Sequence, residues 1–295
     1  MGGSEIKYIE NGHIKVGTKD IGGEWCSLIH NKTGIEHLWQ GDPKYWGRSS
    51  CILFPTIGKL KAGQYHINDQ TYRLNQHGFL RNELMSVIER DQDYIVYSKK
   101  SDAKTRLLYP FDFEVRMIYE LDGTTLSITY EVYNNSNQVM PFSIGAHPAF
   151  NVPIETNHSR SDYQLQFDQV ETLRTMTLDE AGLITENTRS VLTQQDSIAI
   201  TDDLFDHDAL ILSGLQSTQL SLIHPQGQPV WTFDFSGFPY LGIWSKNQKS
   251  PFICIEPWHG IADLATASGH LYEKIGIETL DPQQRFACTH SLTLH

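Results

Sequence analysis

An alternation of apolar and polar residues with a period of two most strongly limits what this chain can fold into. From Phe113 to Leu121 every odd-numbered residue is apolar, and three of the four even-numbered residues are charged. This pattern is typical of a β-strand with one buried face. Asp122-Gly123 then supplies turn chemistry, and the alternation resumes from Leu126 to Val132. The two segments predict an antiparallel hairpin.

Comparable strand-like segments recur along the chain, and no long amphipathic helix with capping residues interrupts them. They are Tyr94 to Ser98, Leu220 to His224, Trp231 to Phe235, Phe252 to Glu256 and Phe286 to Leu294. The more polar stretch from Glu155 to Ser197 is expected to form loops and short strands, with a small subdomain as the alternative. Because linker-like composition and fixed-period repeats are absent, residues 1–295 are predicted to form one all-β domain, a large antiparallel β-sandwich.

The charge balance excludes some classes of partner. The 295 residues include 23 Lys and Arg against 35 Asp and Glu, a formal net charge of −12. Because an acidic protein repels polyanions and no Lys/Arg-rich run reverses this locally, nucleic acid and anionic membranes are not expected partners. No basic segment leads into an apolar run, so we predict a cytoplasmic protein without a signal peptide or membrane span. Met1 to Ser4 are interpreted as an expression-tag remnant.

The four cysteines are interpreted as buried, reduced thiols. Cys26, Cys51, Cys254 and Cys288 are too few and too scattered for a disulfide framework, and no pair has CxxC spacing. The GxGxxG, P-loop, GxSxG and HExxH motifs are also missing from the sequence. Their absence argues against dinucleotide, nucleotide, serine-hydrolase and zinc-protease functions.

Two histidine-containing segments are candidate functional sites. In the segment from Gln76 to Arg81, a glycine directly after His77 lets the backbone turn sharply or approach a ligand closely. In the segment from Gly145 to Asn151, Pro148 holds His147 extended, so the imidazole projects from a stiff backbone at a strand-to-loop transition. This placement suits a positioned acid or base. The structural alternative for both residues is a histidine whose hydrogen bonds serve the fold.

Glu256 is the most informative candidate. By the alternation of a strand, Phe252, Cys254 and Glu256 share one face, so a carboxylate ends an otherwise apolar strand. A buried carboxylate is costly unless it has partners or a task. Trp258, just beyond, offers a flat apolar surface of the kind on which sugars stack. The structural alternative is a carboxylate that accepts hydrogen bonds from backbone N–H groups.

Other acidic and aromatic residues have more ordinary interpretations. The acidic segment from Thr201 to Ala209 lacks the spacing and the glycine of an EF-hand, and it is expected to be a solvated loop. Most of the remaining tryptophans are expected to lie in the core. These are Trp25, Trp39, Trp46, Trp231 and Trp244.

Taken in order, these segments resemble the aldose 1-epimerase (galactose mutarotase) family, particularly its LacX-like and hexose-6-phosphate mutarotase-like branches. The matching pieces are Phe54-Pro55, Gly58-Lys59-Leu60, Gln76-His77-Gly78-Phe79-Leu80-Arg81, Gly145-Ala146-His147-Pro148-Ala149-Phe150-Asn151 and Cys254-Ile255-Glu256-Pro257-Trp258. The resemblance covers nearly the whole chain. It implies a galactose mutarotase-like supersandwich with the sugar site on a concave face, and a reaction that needs no metal or organic cofactor.

The resemblance implies roles for three residues: His147 as general acid, Glu256 as general base, and His77 as a substrate-positioning histidine. Mutarotation removes the proton of the anomeric hydroxyl and protonates the ring oxygen, so a carboxylate and an imidazolium must flank the hemiacetal. The ring opens to an aldehyde, its end rotates, and closure yields the other anomer. The expected activity is therefore α/β interconversion of a free or 6-phosphorylated aldohexose.

Two departures from the family affect the expected sugar contacts. Lys59 stands where galactose mutarotases have a sugar-binding arginine, and a lysine lacks the bidentate fork. The sugar-contacting aspartate falls in the acidic segment, where Asp208 is favoured over Asp206. Arg81 is expected to contact the substrate, and with Lys59 and Arg48 it is an alternative local phosphate site.

Two other functions stay open from the sequence. One is a non-catalytic sugar-binding or sensing protein on the same fold, which would also use Trp258. The other is a metal-dependent, cupin-like enzyme with His77, His147 and Glu256 as a two-histidine, one-carboxylate triad, although the closely spaced cupin histidines are missing. The expected partner is a small-molecule sugar, and the expected state is a monomer or weak homodimer.

Overall fold

β-Strands form nearly all the regular structure of the computed structural model, which describes residues 5–295. In chain order the strands are β1 (Lys7–Glu10), β2 (Ile14–Thr18), β3 (Trp25–His30), β4 (Ile35–Glu36), β5 (Ser50–Leu53), β6 (Gln64–Ile67), β7 (Gln70–Arg73), β8 (Ser86–Arg90), β9 (Tyr94–Lys100), β10 (Phe113–Asp122), β11 (Thr125–Asn134), β12 (Met140–Phe142), β13 (Ile144–Asn151), β14 (Gln164–Leu178), β15 (Ile184–Ala199), β16 (Leu210–Ser213), β17 (Gln219–Ile223), β18 (Pro229–Asp234), β19 (Tyr240–Trp244), β20 (Phe252–His259), β21 (Glu278–Leu280) and β22 (Arg285–Leu294). The helical parts are α1 (Ala103–Leu108) and 3₁₀ turns at Lys61–Gly63, Leu80–Asn82, Arg160–Asp162 and Leu271–Glu273. The interpretation of Met1 to Ser4 lies outside the described residues.

One large antiparallel sheet of 14 strands dominates the architecture. Its order is β5-β13-β20-β19-β16-β14-β17-β18-β22-β11-β10-β9-β8, with β15 attached to β14. The long strand β14 joins two arms of this sheet, since its first residues pair with β17 and Met176 near its end pairs with β16. Three smaller sheets, β1-β2-β3-β4, β6-β7 and β12-β21, complete the described structure.

The two arms of the large sheet pack face to face through aromatic side chains. Phe150 of β13 contacts Trp231 and Phe233 of β18, with ring centroids 4.8 and 6.0 Å apart. Phe54, directly after β5, lies 5.2 Å from Phe113 of β10. Because these rings are buried between the arms, they form the core of a sandwich. The predicted all-β antiparallel sandwich is confirmed.

The predicted hairpin is formed by β10 and β11. Asp122 pairs with Thr125, so the connection is the two-residue turn Gly123-Thr124. The five other predicted segments coincide with β9, β17, β18, β20 and β22. Period-two alternation therefore located these strands correctly.

The prediction of loops and short strands between Glu155 and Ser197 is wrong. This stretch contains β14 and most of β15, the two longest strands among the described residues, with 15 and 16 residues. Four register shifts interrupt their pairing. Because each bulge moves the following side chains to the opposite face, the apolar alternation is hidden in the sequence.

The remaining predictions at the level of the fold have different outcomes. All four cysteines are free; Cys26, Cys51 and Cys254 are buried and Cys288 is half-buried, which confirms their interpretation as mostly buried thiols. Within residues 5–295, no helix has the length and apolar character needed to cross a membrane. The organisation as a single domain stays a prediction.

Candidate functional site

A cavity of about 1000 Å³ lies on the face of β13 and β20 that points away from the core. Ile253 and Ile255 pack in the core, whereas Cys254, Glu256 and Trp258 face the other side, as the alternation of the strand predicts. All the predicted site residues line this cavity: Lys59, His77, Arg81, His147, Asp208, Glu256 and Trp258. The structure therefore brings together residues that are far apart in the sequence.

His147 and Glu256 face each other across neighbouring strands. Strands β13 and β20 pair from Ile144 opposite His259 to Asn151 opposite Phe252, a register that places His147 directly opposite Glu256. The pairing is interrupted between these ends, where Pro148 and Pro257 have no N–H groups to donate. His147 Nε2 lies 3.4 Å from Glu256 Oε2.

Both residues lie inside longer strands than predicted. His147 was expected at the end of a strand, but β13 continues to Asn151. Glu256 was expected to end its strand, but β20 continues to His259 and includes Trp258 on the same face. Because each strand is flanked by a paired neighbour on its other side, β5 or β19, the two side chains project from a rigid floor.

The surroundings of Glu256 and His147 argue against the alternative that their side chains only make hydrogen bonds that serve the fold. Their exposed fractions are 2% and 7%, and Glu256 Oε2, His147 Nδ1 and the Trp258 indole nitrogen have no hydrogen-bond partner. Burial raises the pKa of Glu256 well above its ordinary value, with the nearby Trp258 indole opposing this. Burial, followed by the charge of Arg81, lowers the pKa of His147 from 6.5 to about 3. These shifts favour the uncharged form of each group, a protonated carboxyl and a neutral imidazole.

Aromatic rings enclose the imidazole of His147. Trp46 stacks on it with ring centroids 4.5 Å apart and an interplanar angle of 25°. Trp244 and His77 approach it edge-on, at 5.6 and 5.7 Å. Trp46 and Trp244 therefore belong to the cavity lining, while Trp25, Trp39 and Trp231 are buried, in agreement with the expectation that most tryptophans lie in the core.

His77 serves both the fold and the cavity. Its Nδ1 accepts a hydrogen bond of 3.2 Å from the Gly58 N–H, and its Nε2 lies 3.1 Å from the Gln76 amide group. Because Nδ1 is an acceptor, neutral His77 carries its proton on Nε2. Gly78 follows with φ +69°, and a Cβ there would lie 2.1 Å from the Phe54 carbonyl oxygen. Only glycine fits this close approach.

Trp258 lies flat on the floor of the cavity because its neighbours are small. A Cβ at Gly242 of β19 would lie 2.5 Å from the Trp258 ring, and one at Gly145 of β13 would lie 2.8 Å from it. Gly242 pairs with Glu256 and Gly145 with Trp258. The two glycines therefore make room for the indole beside the carboxyl group of Glu256.

The predicted cations occupy different positions. Lys59 is exposed at the cavity wall, whereas Arg81 is half-buried and donates a hydrogen bond of 2.7 Å to the Gln76 carbonyl. Arg48 is not part of the lining, because its guanidinium donates to the Arg81 carbonyl and the Asn82 side chain. The alternative phosphate site of Arg81, Lys59 and Arg48 therefore lacks Arg48 in the cavity lining.

The acidic segment contributes two aspartates to the cavity. Asp206 and Asp208 both line it and both are exposed. Asp208 has φ +69° and accepts a hydrogen bond of 2.8 Å from the Ala209 N–H. Asp208 is also the charged group that contributes to the raised pKa of Glu256. Its proximity to the carboxyl group favours Asp208 over Asp206 as the substrate contact.

Several lining residues were missed at the level of the sequence. Arg189 of β15 and Lys246 after β19 reach the cavity, as does Asp179 at the turn between β14 and β15. The Arg189 Nε is buried without a partner. None of these residues belongs to a motif, and the stretch that contains Asp179 and Arg189 was predicted as loops and short strands.

The predicted metal triad is not assembled as proposed. The buried group whose ligand atoms lie within 4.8 Å of one another is His147, Cys254 and Glu256, without His77. Both ring nitrogens of His77 already contact Gly58 or Gln76. The cupin-like alternative therefore loses one of its three ligands.

Comparisons with known proteins give one consistent family. A sequence model of a family described as aldose 1-epimerase matches residues 6–276. The chain is 33% identical over 294 residues to protein LacX (chromosomal) of Lactococcus lactis subsp. lactis, covering 97% of this chain and 98% of that protein.

Two solved structures extend this similarity to the fold. A galactose mutarotase related enzyme from Lactobacillus acidophilus is 34% identical, with a TM-score of 0.93 and coverage of 99% of this chain and 97% of that chain. A galactose mutarotase-like protein from Lactobacillus casei ATCC 334 is 31% identical, with a TM-score of 0.92 and coverage of 99% and 100%. These similarities confirm the predicted galactose mutarotase-like fold.

Proposed function

The chain belongs to the aldose 1-epimerase family, and on this premise we propose that it interconverts the α and β anomers of an aldohexose without a cofactor. The observation that carries the proposal is the pair His147 and Glu256, 3.4 Å apart and almost fully buried at the floor of a large cavity. Their unpartnered polar atoms suit hydrogen bonds to a substrate, since buried polar groups are normally satisfied.

The reaction needs one proton shared by this pair. Ring opening moves a proton from the anomeric hydroxyl to the ring oxygen while the bond between that oxygen and the anomeric carbon breaks. Glu256 as base takes the first proton and His147 as acid supplies the second, so the pair keeps one proton throughout. These roles require Glu256 to be ionised and His147 to be protonated when sugar is bound, so the proton that the pair shares must then lie on His147. The stacked Trp46 ring stabilises the resulting imidazolium.

The remaining contacts position the sugar. We propose that His77 donates its Nε2 proton to a ring substituent and that Trp258 stacks against the apolar face of the ring. Lys59 and Arg81 bind the outer hydroxyl groups, and Asp208 binds a hydroxyl group closer to the anomeric carbon. Asp208 approaches the same region as Glu256, which supports a contact near the reacting carbon.

The charges of the lining support an uncharged hexose over a hexose 6-phosphate. The cations are Lys59, Arg81, Arg189 and Lys246, and the acids besides Glu256 are Asp179, Glu180, Asp206 and Asp208. Because acidic groups offset the cations, a phosphate gains little net attraction. Cytoplasmic location, a monomeric or weakly dimeric state, and the lack of nucleic-acid and membrane partners stay predictions.

Anomer exchange tests the proposal directly. Freshly dissolved α-anomers of glucose, galactose and their 6-phosphates are followed by polarimetry or exchange NMR with and without the protein. We expect acceleration of a free hexose above the buffer rate and a smaller effect on its 6-phosphate. Saturable sugar binding with no acceleration of any anomer would instead identify a non-catalytic sugar-binding protein. Greater acceleration of the hexose 6-phosphate than of the free hexose would contradict the preference for an uncharged hexose that we infer from the charges of the lining.

The pH dependence of exchange reports the shifted pKa values. Because burial lowers the pKa of His147 to about 3, the free pair does not acquire a second proton as the pH falls through 6.5. We therefore expect kcat/KM to stay constant between about pH 5 and 6.5, where an ordinary histidine titrates. It declines on the alkaline side, when the pair loses its last proton through the raised pKa of Glu256. An acid limb centred near 6.5, measured by exchange NMR after subtraction of the buffer rate, contradicts this.

A further inference from the structure

Three chemically different metal ligands lie together on β13 and β20, and two of them, His147 and Glu256, line the cavity. Cys254 lies two residues before Glu256 on the same face of β20, and His147 lies opposite Glu256 on β13. One ligand atom from each lies within 4.8 Å of the others, and the three exposed fractions are 0%, 2% and 7%. Glu256 Oε2 has no hydrogen-bond partner. Thiol, carboxylate and imidazole together form a ligand set that zinc binds well.

We propose that His147, Cys254 and Glu256 form an inhibitory site for Zn²⁺ or a chemically similar soft divalent cation. His147 and Glu256 are 3.4 Å apart, which matches the distance of about 3.5 Å between two ligands of one tetrahedral zinc ion. The large cavity leaves the fourth position open to water or a sugar hydroxyl. The inhibition rests on the proposed mutarotation, whereas the metal binding does not.

The charge balance suits a buried site. Zn²⁺ displaces one proton from the Cys254 thiol and one from the pair formed by His147 and Glu256, and both protons leave to solvent. The product contains a thiolate, a carboxylate and a neutral imidazole around a divalent cation, so its net charge is zero. A neutral complex avoids the cost of an uncompensated charge in a buried environment. Bound metal also occupies both proton-transfer groups, which stops anomer exchange.

Cys51 provides a matched control for Cys254. Both thiols are buried, and Cys51 is the partner of His147 on β5, on the opposite side from Glu256. Cys51 is nevertheless not among the three grouped ligands. Replacing it removes a buried thiol next to His147 without removing a proposed metal ligand.

Cobalt spectroscopy tests metal binding without reference to activity. Chelator-treated full-length protein is titrated with CoCl₂, and the thiolate-to-cobalt charge-transfer absorption is recorded for wild type, Cys254→Ala and Cys51→Ala. We expect the band in wild type and Cys51→Ala, its loss in Cys254→Ala, and its displacement by Zn²⁺. The other histidine-containing group, Glu155, His158 and His224, has no thiol and does not produce this band.

Inhibition is measured on the same proteins. We expect Zn²⁺ to inhibit wild type and Cys51→Ala equally, and Cys254→Ala to keep its basal rate while needing at least about 100-fold more Zn²⁺. Cys254→Ser repeats the comparison if the alanine variant fails to fold. The proposal is overturned if wild type lacks the cobalt band or if the band persists in Cys254→Ala. It is also overturned if Zn²⁺ inhibits wild type and Cys254→Ala equally. A protein that shows the band but no anomer exchange refutes the proposed function instead.

Discussion

Replacing Glu256 with glutamine is expected to lower kcat for anomer exchange by about 10²- to 10⁴-fold, the usual contribution of a general base. Glutamine has nearly the same size but cannot take the proton of the anomeric hydroxyl. The folded state should persist, because burial raises the pKa of Glu256 and so favours an uncharged side chain, and Oε2 makes no hydrogen bond that the amide would lose. Exchange NMR gives the rate, and thermal unfolding reports the stability.

Glu171 provides the control for this variant. Its side chain is 3% exposed and accepts hydrogen bonds from the Gln216 and Ser217 N–H groups, at 2.8 and 2.7 Å. Glu171→Gln weakens two charge-assisted bonds and should cost about 1 kcal/mol of stability without changing the rate. The two variants thus separate a structural carboxylate from a reacting one. Full activity in Glu256→Gln would falsify the role of Glu256 as base.

The sequence predicts best those strands that have two different faces. In β10 and β11 the alternation is uninterrupted, so both strands and their turn follow from the pattern alone. In β14 and β15 the bulges move apolar residues from one face to the other. Because this breaks the alternation, the sequences of these two strands resemble those of loops. This error in the predicted strands also affects the candidate site, because the turn between β14 and β15 forms part of the cavity wall.

The candidate site depends on strand neighbours that the sequence does not reveal. β13 and β20 are adjacent in the sheet but far apart in the chain, so only the family resemblance pairs His147 with Glu256. Once the register between β13 and β20 is known, it places His147 directly opposite Glu256. Arg189 and Lys246 remain unpredictable, since each is an isolated cation in a polar segment and belongs to no motif.

A second large effect is expected at Lys274, which forms a buried ion pair with Asp263. Its Nζ lies 2.7 Å from Asp263 Oδ1, and the two side chains are 3% and 5% exposed. Asp263 also accepts from the Lys61 N–H and donates its own N–H to the Lys59 carbonyl, both at 2.9 Å. Its carbonyl accepts from Ile184 N–H at the start of β15. Asp263 therefore joins three segments of the chain, those around Lys59, Ile184 and Lys274, and the first of them contributes Lys59 to the cavity lining.

Lys274→Met should lower the free energy of unfolding by about 3–5 kcal/mol, because it leaves the Asp263 carboxylate buried without its partner. The double variant with Asp263→Asn should recover most of this loss, since asparagine is neutral and still accepts from Lys61. Arg106→Met, which breaks the exposed pair with Asp112, should cost less than about 1 kcal/mol. Urea unfolding measures all three variants. A loss in Lys274→Met no larger than in Arg106→Met would contradict the prediction. An increase in KM with little change in kcat is expected alongside it, because we propose that Lys59 binds the sugar and that His147 and Glu256 of β13 and β20 carry out the reaction.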